Sequence, residues 1–280
     1  MSAWSPPPPP ELAIDAHKGT AGRVLCVCGS ADMPGAAVLV ARAAQRAGAG
    51  LVVVACTTEA LRTILPIAAP EAILLDLRDL DVLRNHVAEP NCDAIVVGPG
   101  LGTSPRAREL LDIVLAGTVP LVLDADALNL LGTDLARLRV RGAATVLTPH
   151  PGEAGRLLGR AIPRDENGRV AAAREIAAQS GAICCLKGHH TVVSDGHRTY
   201  VNGTGNPGMA TAGAGDVLAG ITCAYLALTR TLPSPHWTPF DAAARAVAVH
   251  GFAGDLAARA RGQRGLIASD LIEALPRAQV

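Results

Sequence analysis

A carboxylate stands beside a glycine-rich turn in the stretch that runs from Asn202 to Ile221. Small and turn-forming residues fill its first half, and the stretch becomes apolar and compatible with a helix after Asp216. Gly213 and Gly215 have no Cβ atom, so they leave nearby backbone N–H groups unobstructed. Free N–H groups at a helix start form an anion-binding site, which the helix dipole strengthens. The pattern therefore predicts a phosphate site with Asp216 at its mouth.

Asp216 permits two interpretations. It could cap the helix, since Asp is a favoured N-cap residue that contributes about 1 kcal/mol. It could instead act as a base beside the bound phosphate. From the residues of this stretch alone, the two interpretations are equally well supported.

Polar or glycine-rich residues also follow five short apolar runs that we predict to be strands. The five loops span residues 29–30, 98–102, 124–129, 148–153 and 187–188. Ligands bind at the carboxyl edge of open α/β sheets, which is where such loops meet. The coincidence of five loops indicates a binding site more strongly than any one of them does.

Single residues in these loops leave alternatives open. Asp124 and Asp126 are more simply explained by helix capping and turn formation than by positioning a metal ion or substrate. His150 lies between two prolines, and a structural role and a ligand contact are equally supported. Glu153 could cap the next helix or hold Mg²⁺ through water. For Lys187 we favour a phosphate contact over a surface position, since a Lys after an apolar strand is rarely buried without a partner.

The order of the segments predicts an α/β fold. An apolar run at 23–28, a glycine loop, an Ala-rich helical stretch at 36–47 and a second apolar run at 51–55 form a βαβ unit. Such a unit implies parallel strands. Alternating segments continue towards the C-terminus, with one hairpin across Asp195 and Gly196. We predict a central, mostly parallel sheet with helices on both faces, in three layers.

Length and composition limit the classes of protein to consider. The chain has 280 residues, 49% of them hydrophobic, which suffices for one large α/β domain or two small ones. We predict a flexible proline-rich tail at 1–16 and a single domain at 17–280. Lys and Arg together number 25, as do Asp and Glu, so no net field attracts nucleic acid or an anionic membrane. Aromatic residues are only 2%, which also disfavours stacking on bases.

The seven cysteines show no Cys-x-x-Cys spacing, and most lie within apolar runs. Their odd number and the absence of a signal peptide favour reduced thiols in the cytoplasm. The spacing disfavours a structural zinc site. His189 and His190 likewise have no clear metal-binding partner in the sequence.

Taken together, the motifs resemble the ADP- or ATP-dependent NAD(P)H-hydrate dehydratases, a branch of the ribokinase-like superfamily. The resemblance runs from about His17 to Pro276 and includes the whole 202–221 stretch. The other motifs lie at residues 17–20, 33–37, 48–52, 123–129, 147–153, 186–188 and 265–270. Gly-x-Gly-Asp by itself would indicate only the superfamily. No Walker-type motif, nucleophile elbow or dinucleotide fingerprint is present in the sequence.

The resemblance implies a ribokinase-like fold and a repair reaction on hydrated NADH or NADPH. The enzyme would phosphorylate the ring hydroxyl of the damaged nicotinamide and eliminate phosphate, with ADP as donor and AMP as product. Asp216 would be the base, and the N–H groups around Gly213 to Gly215 would stabilise the transferring phosphoryl group. Ala214 stands where the family often has Thr, which removes one hydroxyl donor but not the base.

The resemblance also assigns binding residues and partners. The substrate would contact Ala37, Gly100, Gly102, His150, Asn206 and Asp216. The adenine nucleotide would contact Lys187, Gly188, His189, His190, Thr191, Gly213 and Gly215. Mg²⁺ is expected with unknown ligands, Glu153 through water being one candidate. A homo-oligomer, in particular a tetramer, is expected, and the epimerase activity of many relatives should reside in another chain.

Two other functions stay open. A ribokinase-like kinase for a vitamin precursor, such as hydroxyethylthiazole or hydroxymethylpyrimidine, would share the sheet and Asp216. It would not obviously need the motifs at 148–153 and 206–209. A nucleotide-binding scaffold without turnover is the other, and the intact Gly-Ala-Gly-Asp argues against it.

Overall fold

The computed structural model describes residues 4–88, 91–232 and 234–279. The first three residues of the predicted tail lie outside the described residues. The strands are β1 (Arg23–Val27), β2 (Leu51–Cys56), β3 (Ile73–Asp76), β4 (Ala94–Val97), β5 (Leu121–Leu123), β6 (Thr145–Leu147), β7 (Ile183–Leu186), β8 (Val192–Ser194) and β9 (Thr199–Val201). The α-helices are α1 (Pro34–Arg46), α2 (Glu59–Ala68), α3 (Asp81–Ala88), α4 (Pro105–Ala116), α5 (Asp126–Leu131), α6 (Pro151–Leu158), α7 (Glu166–Ser180), α8 (Ala214–Thr231), α9 (Pro239–Arg261) and α10 (Ala268–Ala278). Short 3₁₀ turns lie at Leu135–Leu138 and Pro207–Met209.

The strands form a single sheet in the order β3-β2-β1-β4-β5-β6-β7-β8-β9. Strands β1 to β7 are parallel, whereas β8 and β9 are antiparallel and form the predicted hairpin. The strand order reverses between β1 and β4, and in open α/β sheets a ligand crevice lies outside such a switch point. The predicted mostly parallel sheet is therefore confirmed.

Alternate strand residues contribute to two separate cores, because side chains along a strand point to opposite faces. One core joins Cys26, Val96 and their equivalents on neighbouring strands to helices α1, α8, α9 and α10. The other joins Leu25, Ile95 and their equivalents to α3, α4, α5, α6 and α7. Since both faces are covered, strands β2, β4, β5 and β7 consist only of apolar residues, which is typical of parallel sheets. The three predicted layers are confirmed.

Small residues bring α1 and α8 close together. A Cβ atom added at Gly220 of α8 would lie 2.5 Å from the carbonyl oxygen of Val40 in α1. Ala43 and Ala44 of α1 face the same contact. The close approach matters for the site, because α8 carries Asp216 in its first turn.

Local signals explain several helix starts. Pro occupies the first position of α1, α4, α6 and α9, where its missing N–H group has no cost. Ser104 caps α4 by accepting the N–H of Ala107 at 3.2 Å. Helix α3 was not foreseen from the sequence, and its burial of only Leu83 and Val87 explains its weak pattern.

The described part of the predicted tail contacts the domain. The Trp4 ring lies 5.6 Å from the ring of Tyr200 and 5.7 Å from that of Phe240, and Pro6 is buried. The flexibility of the tail stays a prediction. All seven cysteines are buried and form no disulfide. Within the described residues, no helix is both long and apolar enough to cross a membrane.

Candidate active site

The five loops predicted to converge do converge. They follow β1, β4, β5, β6 and β7, which are consecutive neighbours in the sheet, at the shared carboxyl edge. The first turn of α8 lies at the same edge, beside Lys187 and Asp124. Residues up to 187 positions apart, from Gly29 to Asp216, therefore lie at one edge.

Helix α8 begins at Ala214, three residues earlier than the sequence predicts, and its N-cap is Gly213 with φ 84°. This left-handed conformation favours glycine over any residue with a side chain. Asp216 is thus the third residue of the helix and makes no capping bond. Among the described residues, its carboxylate forms no hydrogen bond or ion pair. The capping interpretation of Asp216 is therefore wrong.

The surroundings of Asp216 raise its pKa from 3.8 to about 7. Burial is the main cause, and the negative charge of Asp124 adds to it. The positive charge of Lys187 opposes the shift without cancelling it. A carboxyl group with a pKa near neutrality can accept a proton and later release it, which is what a general base requires.

Lys187 is held at the centre of the edge by two carboxylates. Its Nζ lies 2.6 Å from Oδ1 of Asp124 and 3.9 Å from Oε2 of Glu153, and its side chain is 18% exposed. Burial lowers its pKa, but the charges of Asp124 and Glu153 outweigh burial, so the net pKa is raised and the group stays cationic. Asp124 therefore positions Lys187. This is a different role from the helix capping that the sequence favoured for Asp124.

Lys187 also borders the glycine-rich turn. A Cβ atom added at Gly215 would lie 3.3 Å from Nζ of Lys187, so glycine lets the amine approach the helix start. Within the described chain, the N–H group of Gly215 donates to no backbone acceptor. A cation, a free N–H group and the positive end of a helix dipole thus meet at one point, which is the arrangement that binds phosphate.

His150 and Glu153 form a capping box at the start of α6. Nδ1 of His150 accepts the N–H of Gly152 at 3.0 Å, and Oε2 of Glu153 accepts the N–H of His150 at 2.7 Å. The capping interpretation of Glu153 is confirmed. His150 remains half-exposed at the cavity, with Nε2 3.5 Å from Oε1 of Glu153.

Asp126 holds the loop after β4. Its Oδ2 accepts the N–H of Gly102 at 2.8 Å, and its Oδ1 accepts Nδ2 of Asn129 at 3.3 Å. It is the first residue of α5, whose N-cap is Ala125 with φ 49°. Asp126 therefore shapes the neighbouring loop as well as starting its own helix.

A cavity of about 660 Å³ opens beside Lys187 and α8. Eight of the predicted site residues line it, and these are His150, Lys187, Gly188, His189, His190, Thr191, Asn206 and Gly215. Ala37, Gly100, Gly102, Gly213 and Asp216 do not line this cavity. Instead, Gly100 packs on the start of α1, where an added Cβ would lie 2.7 Å from Cβ of Ala36, and Ala37 is fully buried. All the predicted nucleotide residues except Gly213 thus share one cavity with the predicted substrate residues His150 and Asn206, while three other predicted substrate residues lie around α1 and the loop after β4.

The side chain of Asn206 is already engaged. Its Oδ1 accepts the N–H of Gly208 at 3.0 Å, and its Nδ2 donates to Oδ1 of Asp255 at 2.9 Å. Oδ2 of Asp255 accepts the N–H of Gly205, also at 2.9 Å. Asp255 therefore clamps the loop that precedes α8. No sequence motif points to this role of Asp255, because only the packing of α9 brings it to the loop.

His250 of α9 supports the start of α8. Its Nε2 lies 2.8 Å from the carbonyl oxygen of Ala214. Burial lowers the pKa of His250 to about 4, so near neutral pH the ring is uncharged and the Nε2–H tautomer donates to Ala214. The sequence carries no signal for this contact, because the two residues are joined only by the packing of α8 against α9.

The described residues contain no cluster of three or more His, Cys, Asp or Glu side chains that could enclose a metal ion. Mg²⁺ is usually held by one or two carboxylates together with water and substrate phosphates, so it does not need such a cage. Buried Glu153 faces the phosphate-binding edge and offers oxygen donors of the type that Mg²⁺ prefers. The donor set therefore fits Mg²⁺ bound through water and nucleotide phosphates.

The open sheet, the switch point and the anion-binding helix start define an α/β protein of the nucleotide-binding type. The sequence model of the family described as NAD(P)H-hydrate dehydratase matches residues 24–277, and the chain belongs to that family. The resemblance and the predicted ribokinase-like fold are both confirmed.

Individual relatives agree with the family. The chain is 42% identical over 289 residues to the bifunctional NAD(P)H-hydrate repair enzyme Nnr of Moorella thermoacetica, covering 98% of this chain and 52% of that protein. It is 42% identical over 268 residues to the ADP-dependent (S)-NAD(P)H-hydrate dehydratase of Neisseria meningitidis, covering 94% of this chain and 86% of that protein. The chain spans about half the length of the bifunctional relatives that it matches.

A solved structure has the same fold. It is the ADP/ATP-dependent NAD(P)H-hydrate dehydratase from Bacillus subtilis, co-crystallised with ATP and Mg²⁺. It superimposes with a TM-score of 0.81 at 33% identity and covers 97% of this chain and 93% of its own.

Proposed function

We propose that this protein is an ADP-dependent (S)-NAD(P)H-hydrate dehydratase, which returns hydrated NADH and NADPH to their functional forms. One observation carries the proposal: Asp216, the α8 start and Lys187 meet at one edge of the sheet, beside a cavity of nucleotide size. The names of the relatives support this activity over a vitamin-precursor kinase.

The reaction begins with phosphoryl transfer. The Asp216 carboxylate removes the proton from the ring hydroxyl as the hydroxyl oxygen attacks the terminal phosphorus of ADP. A new O–P bond forms, the P–O bond to AMP breaks, and AMP leaves. Lys187 and the N–H groups at the α8 start stabilise the charge on the transferring phosphoryl group.

Elimination completes the repair. The ring C–O bond breaks with its electrons on the departing phosphate, and the adjacent carbon loses a proton. The ring double bond of the reduced nicotinamide is thereby restored. In sum, hydrated NADPH and ADP give NADPH, AMP and phosphate, and no electrons are exchanged with an outside donor.

The two ligands occupy different parts of the edge in this proposal. The nucleotide takes the cavity, where it contacts Lys187, Gly188, His189, His190, Thr191 and Gly215, and it contacts Gly213 at the start of α8. The hydrated dinucleotide approaches from the opposite side of Asp216, where it contacts Ala37, Gly100 and Gly102, and it extends to His150 and Asn206, which line the cavity. The position of the cavity relative to α1 supports this division.

Mg²⁺ belongs to the same proposal, and Glu153 would hold it through water. When bound, it would neutralise charge on the nucleotide phosphates. The Bacillus subtilis relative co-crystallised with ATP and Mg²⁺ supports this choice. In the wider proposal the enzyme is a cytoplasmic homotetramer. Light scattering after size exclusion would test the tetramer.

The reaction itself is tested by mixing the protein with hydrated NADPH, Mg²⁺ and either ADP or ATP. The near-ultraviolet absorbance of reduced nicotinamide should rise only when a nucleotide is present, and faster with ADP. Asp216→Asn, with its fold checked by circular dichroism, is the control and should show no rise. If folded wild-type protein gives no rise but phosphorylates hydroxyethylthiazole or hydroxymethylpyrimidine, the vitamin-kinase alternative replaces this proposal.

A further inference from the structure

Arg169 lies beneath the loop that joins β7 to β8, which we call the β7–β8 loop (residues 187–191). The side chain comes from the first turn of α7, and the residue is only 8% exposed. Its guanidinium donates to four carbonyl oxygens, those of Leu186 at 3.3 Å, Lys187 at 3.5 Å, His190 at 3.3 Å and His189. In the described part of the chain it forms no ion pair. Carbonyl dipoles therefore stabilise this buried charge.

These bonds determine which way the loop's peptide groups point. The C=O and N–H groups of a trans peptide point in opposite directions. When the carbonyls converge on Arg169, the N–H groups of the same peptide planes must turn away from it. Among the described residues, the N–H groups of Gly188, His190 and Thr191, which share planes with the carbonyls of Lys187, His189 and His190, donate to no acceptor. All three residues line the cavity.

The loop backbone is shaped around the guanidinium. Gly188 has φ 142°, and a Cβ atom there would lie 3.0 Å from Nη2 of Arg169. His190 has φ 53°, a left-handed conformation that costs of order 1 kcal/mol in a residue with a side chain. The bond from Arg169 to the carbonyl of His190 helps to offset this cost. Without Arg169, nothing offsets the strain at His190, so we expect the loop to relax and its carbonyl groups to turn towards the cavity.

We propose that Arg169 is a positioning residue of the nucleotide site, which withdraws the carbonyls of the β7–β8 loop and presents its N–H groups to the nucleotide phosphates. The inference rests on the proposed function, because the ligand it serves is the adenine nucleotide. Carbonyl oxygens in that position would repel phosphate, whereas N–H groups attract it. Arg169 acts through the backbone and does not touch the ligand.

The test compares Arg169→Met and Arg169→Lys with a matched control, Arg141→Met. The Arg141 guanidinium also donates to carbonyls, those of Val114 at 3.0 Å, Leu115 at 2.6 Å and Val119 at 2.7 Å. It lies before β6, at the sheet edge opposite the cavity. Both Met variants remove the same kind of bond, so any general loss of stability should be common to them. The dissociation constants of ADP and adenosine are measured for each protein by calorimetry.

Arg169→Met should raise the dissociation constant of ADP about 30-fold, which corresponds to losing two or three N–H bonds of ordinary strength. The constant for adenosine should change less than about 3-fold, because adenosine has no phosphate to contact the N–H groups. Arg141→Met should change neither constant. Arg169→Lys keeps the charge but cannot reach four carbonyls, so it should weaken ADP binding about 10-fold. If Arg169→Met does not fold, Arg169→Lys alone decides.

The outcomes separate this inference from the function on which it rests. Failure of the wild-type protein to bind ADP would overturn the proposed function and this inference with it. Normal ADP binding by the wild type and by the folded Arg169 variants would overturn the inference alone. Equal weakening of ADP and adenosine, or equal weakening by Arg141→Met, would also overturn it, since either result points to general loosening of the structure.

Discussion

Replacing Asp216 by Asn should stabilise the unliganded protein, and the effect should grow with pH. The native state raises the pKa of this carboxyl group above that of the unfolded chain, mainly by burial and then by the nearby charge of Asp124. A raised carboxyl pKa means that the native state retains a proton that the unfolded chain has lost. The stability associated with that proton is complete below the unfolded pKa and is lost as pH rises through the folded pKa. Asn stays neutral throughout and avoids the loss.

The size of the effect follows from the two pKa values. A shift from 3.8 to about 7 corresponds to about 4 kcal/mol at most, at about 1.4 kcal/mol for each unit. Wild type and variant should therefore be nearly equally stable at about pH 4 and should diverge up to about pH 7. Above that pH the difference should be constant, at about 2 to 4 kcal/mol once water entering the site is considered.

Urea unfolding at a series of pH values, without nucleotide, measures this difference. Asp134→Asn is the control, because Asp134 is exposed and forms no ion pair or side-chain hydrogen bond within the described residues. Its effect should be small at every pH. A stability difference for Asp216→Asn that does not change with pH, or that has the opposite sign, would refute the reasoning that burial destabilises the ionised form of the Asp216 carboxyl group.

Four further predictions concern the site. In wild-type protein, kcat/KM should fall about tenfold per pH unit below about pH 7 as the proposed base takes up a proton; a pH–rate profile measures this, and a flat profile excludes the assignment. Lys187→Met should weaken ADP binding at least about tenfold and lower the free energy of unfolding by about 3 kcal/mol, because Asp124 loses its partner; adding Asp124→Asn should restore stability in urea but not ADP affinity. Asp255→Ala should lower kcat/KM about tenfold by freeing the loop before α8, with a smaller change in melting temperature; unchanged steady-state kinetics would contradict the clamp. Gly98→Ala should prevent folding, since the new Cβ would lie 1.9 Å from the carbonyl oxygen of Asp124, whereas Gly142→Ala has nothing within 4 Å and should melt like wild type.

Much of the fold could be predicted because its signals are local. Short, mainly apolar runs mark the strands, which are three to six residues long, and the Ala-rich segment after Pro34 marks α1. Parallel order follows from the alternation of strands and helices, since adjacent parallel strands need a crossover. The start of α8 was misplaced by three residues, because Gly213 caps it through its left-handed backbone rather than through a side chain.

Individual roles in the site were harder to predict. Asp124 resembled a helix cap because it directly precedes a helical segment, but its carboxylate pairs with Lys187, 63 positions away. Asp216 had even odds of capping, and its burial at the helix start, away from any capping bond, decided against that role. No sequence motif pointed to Arg169, His250 or Asp255. Each acts on a backbone or loop that only the packing of α7 or α9 brings within reach.

The sequence by itself determined the fold class, the family resemblance and the set of loops at the carboxyl edge. It could do so because strand and helix periods, glycine turns and motif order are properties of short segments. Only the tertiary structure decided that Asp124 holds Lys187, that Asp216 has a pKa near neutrality and that Arg169 turns the N–H groups of the β7–β8 loop towards the cavity. Burial, charge proximity and peptide orientation depend on residues far apart in the chain, and their positions become defined only when the sheet and its helices are assembled.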